Sequence, residues 1–168
     1  MGNVDGSPWI RNQIQRQSLP LDDLGLDFYH LSENVHKARR EVYGEEEQGK
    51  QWAAEVLHTF KHQGYEAGWQ QLLSWRAGLR RGERRVVEGL LNYVRERREM
   101  IAYPEFQARG WQIGSGPTEA TCKTLTARLK GSGMRWDGDN AEAIMALEAL
   151  SQSGQWDLYW RSQLRDAG

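Results

Sequence analysis

The 168-residue sequence contains one cysteine, Cys122, so no disulfide can close within the chain, and a lone thiol fits a reducing compartment. Net charge is also missing. At -1 no global field draws the molecule to DNA or to an acidic membrane, and any nucleic-acid surface has to be a local patch. No run approaches the roughly 18 apolar residues of a membrane helix, and the start MGNVDGSPWI has neither the basic region nor the apolar stretch of a secretory signal. These absences predict a soluble, cytoplasmic protein with no membrane partner. Internal repeats and low-complexity segments are absent, and the length suits one domain that buries its core without staples.

Strand signal is scarce as well. In LGLDFYH, Leu24, Leu26 and Phe28 alternate with Gly25, Asp27 and Tyr29, which is the period-two pattern of a half-buried strand. NVDGSPW reads as a strand end turning at Gly6 into a loop, because glycine takes turn dihedrals cheaply and Pro8 forces its predecessor out of the helical region. One short strand, not a sheet, is expected.

What the chain has in abundance is helical periodicity. Leu31, Val35, Ala38 and Val42 form one apolar stripe, and Trp52, Val56 and Phe60 a second. Tyr65, Trp69, Leu72 and Leu73 form a third, and Val86, Val87, Leu90, Leu91 and Val94 a fourth. Gly44, Gly64 and Gly82 punctuate the stripes and Pro104 closes the series, predicting about four helices in a small bundle. Gly116 and Pro117 suit the cap and first position of a helix running to about Leu129, stopped by Gly131 and Gly133. Asp139 with Glu142 matches a capping box for a helix ending near Gly154, and Trp156 to Leu164 make a last short one. The eight tryptophans are expected to be core side chains.

The chemistry-bearing residues concentrate in GSGPTEATCKTLTARLKGSGMRW. One carboxylate, Glu119, stands ahead of four cations, Lys123, Arg128, Lys130 and Arg135, with no acidic residue between Ala120 and Trp136. Glu119 near a helix start has two readings: a capping residue facing the helix dipole, or a ligand for a hard cation such as magnesium. The cations likewise read either as a solvated face or as contacts to phosphate oxygens. Asp5 reads as a turn residue, Asp27 and His30 as a strand-end pair, and Cys122 as helix filler. His58 and His62 have zinc-ligand spacing but no evident third ligand. Residues 76 to 99 hold eight arginines against four glutamates, a mildly basic helical face.

Together, DGSPWI, LDFYHLSENV, YPEFQARGWQIGSGPTEATCKTLTARLKGSGMRW and AEAIMALEALSQSGQWDLYW resemble, in this order and spacing, the C-terminal part of transposases of the ISKra family of insertion sequences, relatives of the Mutator-like group. The resemblance implies a mostly α (α+β) chain: the C-terminal half of an RNase H-like core with one or two short strands and an all-helical insertion. Residues 1–30 would be remnant core strands, 31–103 the insertion, and 104–168 the C-terminal helices of the catalytic core. The implied chemistry is magnesium-dependent DNA cleavage and strand transfer by a triad of carboxylates. Asp5 matches the second of them and Glu119 the third, both as metal ligands. Asp27 and His30 match the Asp-x-x-His signature near the site, and Lys123, Arg128, Lys130 and Arg135 are the implied DNA contacts. The family's first aspartate is expected upstream of Asp5, and Asp22 and Asp23 do not replace it. With an incomplete two-ion site, the chain is expected to be inactive alone, or to be a non-catalytic nucleic-acid- or protein-binding module of transposase descent. Implied partners are DNA and, through an exposed strand edge, an upstream half or a second copy.

Overall fold

The computed structural model describes residues 1–166. It is mostly helical with one small parallel sheet, and it divides into two compact units, Met1–Ser115 and a second from Gly116 onward.

The first unit opens with β1 (Gly2–Val4), α1 (Pro8–Arg16) and β2 (Leu24–Leu26). β1 and β2 pair in parallel, Gly2 opposite Leu24 and Val4 opposite Leu26, so the expected single strand is in fact half of a sheet. Three residues are too few for alternation to be read in β1; a parallel partner needs only a crossover, and α1 supplies it. The loop expected after Gly6 is this helix. Pro8 occupies its first turn, where a fixed φ suits the helix and the absent N–H costs nothing. A two-stranded sheet is marginal by itself; here Leu26 is buried in the helical core.

The remaining helices of this unit are α2 (Phe28–Tyr43), α3 (Glu47–Gly78), α4 (Arg81–Glu96) and α5 (Tyr103–Ala108), with a 3₁₀ turn at Arg98–Met100 between the last two. Phe28, expected on a strand, is the first residue of α2, because Asp27 caps that helix through the Tyr29 N–H. At the other end the buried Arg39 donates to the Gly44 carbonyl (2.8 Å) and to Glu45 (3.1 Å), and so satisfies a helix C-terminus. α3 carries both the second and third apolar stripes, and Gly64, at φ +83° and ψ -171°, kinks it where the sequence places a break. Gly82 is no break: it lies in the first turn of α4, after Leu79 and Arg80 have left helical geometry and Glu83 has accepted the Arg80 N–H (2.9 Å). Pro104 opens α5 rather than closing the bundle.

The expected stripes meet in one core. Leu31, Val35, Val56, Phe60, Leu72, Val87 and Val94 are buried together with Ile101, Tyr103 and Phe106. Among the tryptophans, Trp75 is buried, its indole N–H donating to the Tyr43 hydroxyl (2.9 Å) with the Trp52 ring 3.8 Å away between centroids. Trp9, Trp136, Trp156 and Trp160 are exposed, so the tryptophans are only in part the core residues expected of them.

The second unit holds α6 (Gly116–Ala127), α7 (Gly138–Gln152) and α8 (Trp156–Asp166). α6 stops short of the expected Leu129. Thr121, Thr124 and Thr126 each turn a hydroxyl back onto the carbonyl four residues earlier, which weakens helical geometry before the glycines arrive. α7 is capped by Asp137, accepting from the Asn140 N–H (2.9 Å), two residues ahead of the expected Asp139. Its end is marked by Gly154 at φ +68°. No described residue of this unit is buried. Among the described residues, no helix is long and apolar enough to cross a membrane.

Candidate carboxylate site at the strand ends

The parallel pairing of β1 and β2 brings two carboxylates to the same end of the sheet. Val4 and Leu26 are opposite each other, so Asp5 and Asp27, the next residues, leave the sheet side by side at its carboxyl edge. That edge is where open parallel sheets of α/β proteins bind ligands. The ladder continues one step past the strands, because the Asp27 N–H donates to the Val4 carbonyl at 2.8 Å.

Asp5 is half-buried and sits in a tight turn. Its Oδ1 accepts the Ser7 N–H at 2.7 Å, and that bond, with smaller help from the charges of His30 and Arg97, holds its carboxyl below the usual aspartate range. The following residue, Gly6, is buried at φ +80°, a conformation L residues rarely adopt; a Cβ there would also run into the Arg97 side chain. Asp5 is therefore ionised at neutral pH and directed by a turn that tolerates only glycine at its second position.

Asp27 is more deeply placed, 1% exposed, and its side chain serves two pieces of backbone. Its Oδ1 accepts the Tyr29 N–H at 3.0 Å and the Ser115 N–H at 3.1 Å. Beside it the Phe28 N–H donates to the Ile113 carbonyl (2.9 Å), and Asn3 donates from Nδ2 to the carbonyls of Gln112 (2.6 Å) and Gly114 (3.2 Å). The segment 112–115 is thus stitched to the ends of both strands. His30 lies in the first turn of α2, half exposed, with Nδ1 3.1 Å from a Glu33 carboxylate oxygen and Nε2 3.8 Å from Asp27 Oδ2. The expected pairing of Asp27 with His30 is therefore a loose one, and the shorter partner is Glu33.

Arg97 closes the site from the end of α4. It donates from one terminal nitrogen to the Gly6 carbonyl (3.1 Å) and from the other to the Tyr93 carbonyl (3.0 Å), and its guanidinium lies 4.0 Å over the Tyr93 ring. Burial pushes the Tyr93 hydroxyl up to about 12 and that of Tyr103 well above its ordinary value, so both phenols are neutral hydrogen-bond donors. Neither hydroxyl has a protein partner, nor does the Arg97 Nε or the Asn3 Oδ1. Orphaned buried polar atoms on this scale call for bridging water, so the ground behind the two aspartates is polar. None of Arg97, Tyr93, Tyr103 and Asn3 stands out in the sequence: Arg97 is one of eight arginines between residues 76 and 99, and the two tyrosines belong to no motif.

Glu119 belongs to the second unit, in the first turn of α6, where its side chain is exposed. Of the four cations that follow, only Lys123 lies on α6; Arg128, Lys130 and Arg135 come after the helix ends at Ala127, so the four do not share one helical face. All four are exposed. Cys122 is exposed too, rather than filling space. His58 and His62 stack at 4.4 Å between ring centroids on α3. Among the described residues, no three His, Cys, Asp or Glu side chains are grouped to hold a metal ion.

No protein-family model matches this chain, and no curated protein and no solved structure is significantly similar to it.

Proposed function

We propose that this chain is the C-terminal half of a DDE-type transposase, built on an RNase H-like core, in which Asp5 and Glu119 are ligands for magnesium and the cations after Glu119 hold the DNA backbone. The observation that carries the reading is the pairing of β1 with β2, which sets Asp5 at the carboxyl end of a parallel sheet beside Asp27. Asp5 fits a hard divalent cation: it is a rigidly held carboxylate kept ionised by its turn. When bound, such ions stabilise the attacking and leaving oxygens of a phosphodiester exchange. The protein's own contribution is positional. Asp27 ties the end of β2, the start of α2 and Ser115 together. On this reading Asp27 is a positioning residue, because it is buried and two backbone N–H groups share its Oδ1, whereas Asp5 is only half-buried and accepts one. Lys123, Arg128, Lys130 and Arg135, all exposed, supply charge to phosphate oxygens without reading sequence. A cytoplasmic setting, where DNA and magnesium are both at hand, belongs to the same proposal.

The exposure of that basic segment also favours a second reading, a non-catalytic module that binds nucleic acid or a protein through its helices. Calorimetric titration of magnesium into the chain, with and without DNA, separates the two. The enzyme-derived reading expects Asp5→Asn and Glu119→Gln each to remove magnesium binding. Salt-dependent DNA binding that ignores magnesium and is unchanged in both variants would leave only the module.

A further inference from the structure

Arg97 stands 91 residues from Gly6 in sequence, yet it is built into the turn that carries Asp5. Its side chain is 13% exposed and its contacts are all internal: the Gly6 carbonyl, the Tyr93 carbonyl, the carboxylate of Glu96 at 3.5 Å, and the face of the Tyr93 ring. A guanidinium so committed is not offered to a phosphate. Gly6 completes the fit, since only a residue without Cβ lets the Arg97 stem lie against the turn. The planar fork matters as well: it meets the two carbonyls with two separate nitrogens in fixed directions, whereas a lysine ammonium offers a single nitrogen.

We propose that Arg97 is a positioning residue, which holds the Asp5–Gly6–Ser7 turn from the end of α4 and so makes the direction of the Asp5 carboxylate depend on the helical part of the chain. The proposal rests on the reading of Asp5 as a metal ligand for its functional meaning, but the clamp itself does not. It goes beyond that reading by assigning the helices a task at the carboxylate. In the free protein the clamp shows in the Ser7 N–H, which is donated to Asp5 only while the turn keeps its shape.

The test uses the full chain and two readouts. Hydrogen exchange of the Ser7 amide is followed in wild type, Arg97→Ala and Arg97→Lys, with the α2 and α3 amides as internal controls for global stability. Loss of the clamp is expected to speed Ser7 exchange by about tenfold or more in Arg97→Ala, relative to those controls, with partial protection in Arg97→Lys. Ser7 exchange that rises only in step with the controls overturns the proposal. Should Arg97→Ala fail to fold, Arg97→Lys decides alone, since it keeps the charge and loses the fork: unchanged Ser7 protection there also overturns it. Magnesium titration is the second readout. Affinity lowered about tenfold by Arg97→Ala and abolished by Asp5→Asn supports both proposals. Affinity indifferent to Asp5→Asn sinks the metal reading, and with it the functional meaning of the clamp, whereas affinity lost in Asp5→Asn but unaltered in a folded Arg97→Ala sinks the positioning role by itself.

Discussion

Asp27 is a junction before it is anything else. Removing its carboxylate takes away the oxygen that accepts the Tyr29 and Ser115 N–H groups and uncaps α2. Asp27→Ala is therefore expected to destabilise the chain by about 2–4 kcal/mol in urea denaturation, while Asp27→Asn, which keeps an oxygen in place, costs about 1 kcal/mol. Equal losses in the two variants would show that charge, not bonding, is what matters there. Asp5 and Tyr93 make opposite predictions with pH. The folded chain holds the Asp5 carboxyl below its ordinary value, so its contribution to stability is present above about pH 4 and is lost as pH falls through the folded value. Acid unfolding of Asp5→Asn should accordingly lack that part of the slope. Tyr93 is raised to about 12, so the folded state favours the neutral phenol; its contribution is present below the ordinary tyrosine value near 10 and disappears as pH climbs from there towards 12. Ultraviolet titration of the phenolate, compared between wild type and Tyr93→Phe, measures it.

At the scale of elements, glycines show how one residue type does opposite work. Gly64 kinks α3 at a φ/ψ combination that is nearly glycine's alone, although a Cβ would meet only Pro104, at ordinary contact distances of 3.6 and 3.7 Å. Gly64→Ala should cost about 1–3 kcal/mol from backbone strain rather than from crowding. Gly89, on the exposed side of α4 with open space beside it, should respond the other way. Gly89→Ala is expected to stabilise by about 0.5–1 kcal/mol through helix propensity. Thermal unfolding of the two variants side by side checks the sign as well as the size. The stripe periodicity that located α2, α3 and α4 worked because each buries a continuous apolar face. It missed α1, where no residue is buried and the helix is fixed by Pro8 and by the need to cross between parallel strands.

Across the whole molecule, burial is uneven. The first unit contains every buried residue described, and the second contains none, although α7 is rich in alanine and leucine. Local stability follows burial, so amides in α6, α7 and α8 should exchange markedly faster than those in α2 and the first half of α3 under native conditions. Matching protection across the two units would mean that the second unit draws stability from contacts other than side-chain burial. A core truncation such as Phe60→Ala, expected to cost about 3–5 kcal/mol, should expose the amides of the first unit while leaving those of α6 to α8 little changed.

The sequence alone determined the helices with continuous apolar faces, the break at Gly64, the turn at Gly6, and the isolation of Glu119 ahead of a basic segment. These are local matters, settled by spacing of three or four residues or by the dihedral habits of glycine and proline. Only the tertiary structure decided that β1 pairs in parallel with β2, that Asp5 and Asp27 therefore leave the same sheet edge, and that Arg97, from the far end of α4, grips the turn that carries Asp5. Pairing and clamping join residues 22 and 91 positions apart. Contacts over such separations are selected by the packing of the whole unit, and they leave no period in the chain to read.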